Sequence, residues 1–332
     1  MPTRNRASFI GATLDRIIEQ ATDECEIVVV DGASTDNTEV VVEARAKRFP
    51  RLRYVRQPVR DGLERGFDRA VELAAGEYCW LMPDDDLLMP GAVAKVLSAL
   101  QGGQYGVVLM NSEFRTIDMK TSMGVHDPNI KEDRVFRGDE LDALFEASWN
   151  MIRYGGSTVM LREVWVRSER EHLMDLYFPH IGIMFQKPLP GEALVMAEPQ
   201  IMIRMQNQSW LSGAFDAFFV AWPAIVKSLA ISDSTKESVL GKTVSTASVQ
   251  AFCLYRAAGQ YSWREYRQYV RPYMRSALKR WAVAMVARAP RWLVRALVLV
   301  KASVFDSRIQ RGTVLRMLRQ SDAQRIEKSM AT

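Results

Sequence analysis

The feature that most constrains this chain is a short apolar run, Glu26–Ile27–Val28–Val29–Val30, that stops abruptly at Asp31. A half-solvated strand alternates apolar with polar residues; four β-branched residues in a row read instead as a strand covered on both faces, as in a parallel sheet. Gly32–Ala33–Ser34–Thr35–Asp36 then supplies a turn and helix caps, and a helix runs to about Phe49, before Pro50. The alternation continues. Arg53–Tyr54–Val55–Arg56 is a second strand, and 62–75 is a helix with Leu63, Phe67, Ala70, Val71 and Ala74 on one face, closed by Gly76. Tyr78 to Met82 is a third strand that runs into Pro83–Asp84–Asp85–Asp86. Pro90 opens a helix over Gly91 to Leu100, and Val107 to Met110 is a fourth strand. This pattern predicts an open α/β sheet, mostly parallel, with flanking helices. Such sheets bind ligands beyond the carboxyl ends of their strands, where Asp31 and the Asp84–Asp86 cluster both fall.

From about 215 the pattern turns helical, with candidates at Phe215–Leu229, Ser238–Ala258, Trp263–Val270, Pro272–Ala287 and Arg291–Val304. The division predicted is a sheet domain over 1–214 and a helical region over 215–332. Charge follows a similar division. The chain carries +5 overall. Residues 261–332 hold 16 basic and 4 acidic residues, a net +12, which leaves −7 on 1–260. An acidic body suits a metal or a small substrate, and a basic tail suits an anionic partner. With 48% hydrophobic and 25% charged residues, disorder and fibrous repeats are excluded. Cys25, Cys79 and Cys253 form no CxxC pair, so a zinc ribbon or thioredoxin-type site is not expected, and so sparse a set fits a reducing cytoplasm. No leader-like apolar stretch opens the sequence. The most apolar stretch, Trp281 to Phe305, is broken by Arg288, Pro290, Arg291, Arg295 and Lys301, so a soluble protein and a peripheral membrane protein both stay open.

Three adjacent aspartates repel and raise one another's pKa unless a cation sits among them. Oxygen ligands on a tight turn suit Mg²⁺ or Mn²⁺, completed by substrate phosphates and water. The plainer alternative is a helix cap with extra surface acids. No Walker motif or GxGxxG is present, which removes the main support for P-loop and dinucleotide readings.

Val30–Asp31–Gly32–Ala33–Ser34–Thr35–Asp36–Asn37–Thr38 resembles the "VDGGSTDNT" stretch of family 2 glycosyltransferases of the GT-A fold. Pro2–Thr3–Arg4–Asn5–Arg6 resembles their opening "PTYNR", and Ala75–Gly76–Glu77–Tyr78 followed by Asp84–Asp85–Asp86–Leu87–Leu88 resembles their "AGEY" and DxD motifs. Order and spacing agree, strongly over 1–115 and weakly to 215, and the O-antigen, abequosyltransferase-like branch is the most similar. The resemblance implies an inverting, metal-dependent transfer from a nucleotide-diphosphate sugar. It places Thr3 and Arg4 at the nucleotide end, Asp31 on the base or ribose, Asp84 on the ribose or sugar, and Asp86, with Asp84, on the metal; Asp85 assists.

It also implies a general base, usually in a Glu-Asp pair about a hundred residues after DxD. This chain has no such pair there; His180 takes about that place, with Asp175 as the alternative. A structural role for His180 is equally open. Arg204 suits a phosphate or a surface ion pair, and Asn207–Gln208–Ser209–Trp210 an acceptor site or a loop anchor. The family's apolar strand before "PTYNR" is absent, since Met1 directly precedes Pro2, and a start placed downstream of the true one is expected.

In the tail, Arg264, Arg267, Arg271, Arg275 and Lys279 recur at spacings of three and four, interleaved with Trp263, Tyr266, Tyr273, Trp281 and Trp292. On a helix they form one stripe suited to an anionic membrane; a solvated helical face or single-stranded nucleic acid are the other readings, nucleic acid the weakest. The resemblance favours the cytoplasmic face of a membrane and a polyprenyl-diphosphate-linked glycan acceptor. The rivals are a metal-dependent nucleotidyltransferase and a degenerate GT-A protein serving as a membrane-bound assembly partner.

Overall fold

The computed structural model describes residues 1–127, 129–207, 209–304 and 308–330, and the chain divides into two compact units. One comprises Met1–Met205 with Ser228–Ile231, the other Gln206–Lys227 with Ser232–Thr332.

The first unit is α/β. Its strands are β1 (Pro2–Thr3), β2 (Ile27–Asp31), β3 (Leu52–Arg56), β4 (Tyr78–Trp80), β5 (Leu87–Leu88), β6 (Tyr105–Arg115), β7 (Ser122–Val125), β8 (Arg134–Arg137), β9 (Thr158–Leu161) and β10 (Glu192–Arg204). Its helices are α1 (Ile10–Ile18), α2 (Thr38–Ala46), α3 (Leu63–Leu73), α4 (Ala92–Gly102), α5 (Leu141–Ser148), α6 (Arg162–Val166) and α7 (Pro179–Met184). β1, β2 and β3 form one wholly parallel sheet. The second sheet runs β4-β9-β6-β10-β5, with β7 on β6 and β8 on β10; there only the long β6–β10 pair is parallel.

The apolar run behaves as its composition demands. All five residues of β2 are buried. Ile27 and Val29 face Ile10 and Leu14 of α1 and Val42 of α2, while Val28 and Val30 face Ala70 of α3. A period of two thus puts alternate side chains into two helical layers, so both faces are apolar from Ile27 to Val30.

β1 contributes two residues and pairs only with β2 among the described residues. Beside it lies a cavity of about 290 Å³ lined by residues of both sheets, among them Met1, Val28, Tyr78 and Trp80. The Met1 ammonium is buried there and donates to Val28 O at 2.9 Å, and burial lowers its pKa to about 5.

The second unit is helical. A π-helical turn at Asp216–Ala221 leads into α8 (Trp222–Ser228), whose last residue belongs to the first unit; then come α9 (Asp233–Thr246), α10 (Val249–Ala258), α11 (Trp263–Glu265), α12 (Ala277–Arg288), α13 (Arg291–Val304) and α14 (Arg308–Met330). Phe215, Phe219, Phe252, Tyr261, Tyr266 and Val283 build its core. Several expected boundaries move. The helix read over 238–258 is two helices, because the Ser248 side chain accepts from Ala251 N and caps α10. The helix expected from Pro272 starts at Ala277, capped by Ser276. The arginine stripe is therefore corrected: α11 passes into a π-helical turn at Tyr266–Val270, then a non-helical stretch. Arg264 to Lys279 thus lack one helical period. Tyr266 is core, and Trp263 stacks on it at 4.9 Å beneath the Arg288 guanidinium. Among the described residues no helix is long and apolar enough to cross a membrane.

Candidate active site

Asp31 closes β2 and is fully buried. Its Oδ1 accepts from Ser34 N (2.8 Å) and Ser34 Oγ (2.7 Å), and its Oδ2 from Tyr54 Oη (2.5 Å) on β3. Burial, then the Asp31 carboxylate, pushes the Tyr54 pKa up, so Tyr54 stays a donor. The loop after β2 is clamped to the loop after β1. Asn5 N donates to Ser34 Oγ (2.8 Å), Thr35 N to Asn5 Oδ1 (2.8 Å), and Ala7 N to Asp36 Oδ2 (3.2 Å). Both loops turn through left-handed residues, Asn5 (φ 54°) and Ala33 (φ 58°). Arg4 is exposed and lies across Gly32. The buried Thr3 hydroxyl faces Asp84 closely enough to favour its charged form but outside hydrogen-bonding geometry.

The second acidic site sits between β4 and β5. Asp84 and Asp86 are buried and Asp85 is half-buried. Arg6 approaches Asp84 with Nε (3.5 Å) and Asp85 with Nη2 (3.4 Å). Asp86 Oδ1 accepts from Arg204 N at 2.6 Å, at the end of β10, and Asp86 Oδ2 from Tyr154 Oη. The Arg204 side chain donates to Asp85 O (2.7 Å) and to Ile117 O. The guanidinium carbons of Arg204 and Arg6 lie 5.3 and 5.9 Å from the Phe9 ring centroid. Arg204 is thus buried rather than a surface ion pair, and it ties β10 to the acidic turn.

Charge here is incompletely balanced. Burial, then the Asp85 charge, raises the Asp84 pKa to about 7, with Arg6 opposing. The same two causes hold Asp86 well above the ordinary carboxylate range. Such a site favours a proton or a cation. Among the described residues no three His, Cys, Asp or Glu side chains are arranged to hold a metal. Two hard carboxylates with excess negative charge nevertheless fit Mg²⁺ or Mn²⁺ of the kind that completes its coordination with substrate phosphates and water.

The base candidates lie elsewhere. His180, on α7, is buried, and its Nε2 donates to Ile152 O at 2.7 Å; burial lowers its pKa to about 4, so it is neutral with its Nδ1 unprotonated. It therefore braces the 152–154 segment that carries Tyr154. Asp175 is exposed. Neither hydrogen-bonds to Asp84, Asp85 or Asp86 in the bonds described above. Gln208, at the expected acceptor site, lies outside the described residues. Sequence reasoning missed Tyr54 and Tyr154, which hold the two acidic sites from β3 and from the 310 turns before β9.

The model of "Glycosyl transferase family 2" matches residues 1–166, half of the chain and the part that carries both acidic sites. The chain belongs to this family. Family 2 membership makes it a glycosyltransferase and sets aside nucleotidyl transfer. Abequosyltransferase RfbV of Salmonella typhimurium is 28% identical over 226 residues, 63% of this chain and 67% of the relative. A PGL/p-HBAD biosynthesis glycosyltransferase of Mycobacterium bovis is 30% identical over 118 residues, 34% of this chain and 46% of that protein. The chain thus spans about two thirds of the first relative's length and under half of the second's. Among solved structures, S. aureus TarS 1-349 in complex with UDP matches over 98% of this chain and 90% of that chain, with a TM-score of 0.56 and 14% identity. The mannosyltransferase PcManGT from Pyrobaculum calidifontis, in complex with GDP-Man and Mn²⁺, matches over 98% and 84%, with a TM-score of 0.51 and 17% identity. At these identities the likeness shows the GT-A fold.

Proposed function

We propose that this family 2 enzyme moves a sugar from a nucleotide-diphosphate sugar to a polyprenyl-diphosphate-linked glycan, inverting the anomeric carbon, in surface-polysaccharide assembly at the cytoplasmic face of a membrane. The observation that carries the donor half is the buried Asp84–Asp86 turn, whose raised pKa values mark a site that favours a cation beside the clamped loops after β1 and β2. The abequosyltransferase relative and the neighbour bound to GDP-Man and Mn²⁺ support it. Thr3, Arg4 and Asp31 are assigned to the nucleoside end and Asp84 to the ribose or sugar, with Asp85 assisting. Asp86 and Asp84 would hold Mg²⁺ or Mn²⁺. When bound, the ion neutralises the leaving diphosphate as a Lewis acid. Arg204 and Tyr154 hold Asp86 in place, and the base that takes the acceptor hydroxyl's proton is assigned to His180 through its unprotonated Nδ1, its Nε2 being held by Ile152 O, with Asp175 as the alternative. Residues 1–214 are assigned to this chemistry and 215–332 to peripheral membrane attachment.

The test is calorimetric titration with a panel of nucleotide sugars, with and without Mn²⁺, on the wild type and on Asp86→Asn, which keeps an acceptor for Arg204 N. One donor should bind in a metal-dependent way, and the dependence should be lost in the variant. Binding that ignores both metal and substitution would sink the reading. For the base, His180→Gln should abolish turnover while leaving donor affinity unchanged; full turnover in that variant would move the role to Asp175.

A further inference from the structure

The helices α12 and α13 are apolar on two sides. One face of each is spent on the core of the second unit: Val283, Ala284 and Ala287 of α12, and Val294 and Ala302 of α13, are buried. Both pack against α10. The opposite faces should then be polar, and they are not. α12 exposes Leu278 (79%), Trp281 (64%) and Met285 (50%), spaced three and four apart on one side of the helix. α13 exposes Trp292 (72%), then Leu293, Leu297, Val300 and Val304 at spacings of four, three and four. Scattered exposed apolar residues are ordinary; two consecutive helical rows mark a contact surface.

The surrounding charge selects the partner. Residues 271–304 contain eight basic residues and no acidic one. Arg271, Arg275 and Arg280 are exposed. A second copy of this chain would bring two such stretches together, like charge against like. Single-stranded nucleic acid would use the two tryptophans for stacking but leave the aliphatic row uncovered. An anionic bilayer matches both properties, taking the aliphatic and indole groups into its interface and the guanidinium groups among its headgroups.

We infer that the exposed rows of α12 and α13, from Leu278 to Val304, form the surface by which this protein inserts into an anionic lipid leaflet. This deepens the peripheral attachment proposed above and rests on it, but not on the donor chemistry. It also places the inserting aromatics at Trp281 and Trp292 of these rows rather than at Trp263, which is half-buried, and Tyr266, which is core.

Flotation of the full chain with liposomes of phosphatidylcholine alone, or with one quarter phosphatidylglycerol, tests it. The wild type should float with the anionic vesicles and much less with the neutral ones. Leu278→Ser/Trp281→Ser/Leu297→Ser removes three exposed side chains, so its melting temperature should be unchanged; its partition should fall roughly 100-fold. Arg271→Gln/Arg275→Gln/Arg280→Gln should lose roughly fivefold per charge on anionic vesicles and nothing on neutral ones. A wild type that does not float overturns peripheral attachment altogether. A wild type that floats while the serine variant floats equally overturns only this surface. A dimer that the serine substitutions abolish, without vesicle binding, assigns the rows to self-association and overturns the lipid reading.

Discussion

Ala33 sits in the left-handed region at φ 58° because the chain must reverse within three residues to bring Ser34 N and Oγ back onto Asp31. A Cβ there crowds the following carbonyl, and glycine does not pay that strain. Ala33→Gly is therefore expected to stabilise the protein by about 0.5–1 kcal/mol, read as a higher urea midpoint at unchanged slope. Tyr154 gives the opposite case. Its hydroxyl is one of two donors that Asp86 receives, and burial with the Asp86 charge keeps it protonated. Tyr154→Phe leaves a buried acceptor one partner short, and a loss of about 1–3 kcal/mol in the same assay is expected. If the ring merely filled space, the phenylalanine variant would unfold at the wild-type midpoint. The aspartates were legible in the sequence because each follows a strand. The tyrosines were not: Tyr154 reaches Asp86 from 68 positions away, Tyr54 reaches Asp31 across a strand pair, and no local pattern announces either.

At the scale of elements, the order from β2 through α4, apart from the two-residue β5, follows from apolar runs, glycine stops and proline starts; α1 and β1 were not read from the sequence. The C-terminal helices follow less closely, and the reason is local. Four serines, at 232, 248, 262 and 276, each accept a hydrogen bond from a backbone N–H two or three residues on and start a new element. Ser248 shows how much turns on one such residue, since the apolar pattern runs on across 238–258 and only the cap divides it. Ser248→Ala is expected to cost about 1 kcal/mol in thermal unfolding, and Ser248→Asp to restore most of it. A serine inside an unbroken helix would give no loss on substitution by alanine. Long pairings were also illegible. β10 runs parallel to β6 across a register shift between Met196 and Ile201, and its end delivers Arg204 N to Asp86; these residues are 118 positions apart in the chain.

For the whole molecule, folding is linked to pH through groups that burial keeps neutral. His180 has a folded pKa of about 4, against about 6.5 when free. Between those values the unfolded chain binds a proton that the folded one refuses, so His180 withdraws stability as pH falls from about 6.5 toward 4 and is without effect above that window. His180→Gln keeps an amide donor for Ile152 O and removes the titration. Its stability relative to wild type should thus shift in the variant's favour by on the order of 3 kcal/mol between pH 7 and pH 4. Parallel denaturation curves at both pH values would measure the shift, and a constant difference would show that the histidine takes up its proton in the folded state as readily as in the unfolded one. The raised Asp84 carboxyl acts in the opposite direction, withdrawing stability as pH rises toward 7.

The sequence by itself determined the α/β class, the strand-end position of both acidic sites, membership of a family whose chemistry those sites serve, and the separation of an acidic body from a basic tail. Each of these depends on neighbours along the chain, where periodicity, turn residues and charge are directly readable. Tertiary structure alone decided what surrounds the aspartates. Asp31 and Asp86 are each held by a tyrosine, Arg204 is anchored to the acidic turn, and His180 is turned onto a backbone carbonyl. It also decided which aromatics of the basic region are core and which are bare. Trp263 and Trp281 share a composition and a neighbourhood, yet one is covered by Tyr266 and Arg288 and the other stands in solvent. Burial is a property of what packs against a side chain, and that is supplied by residues remote in sequence.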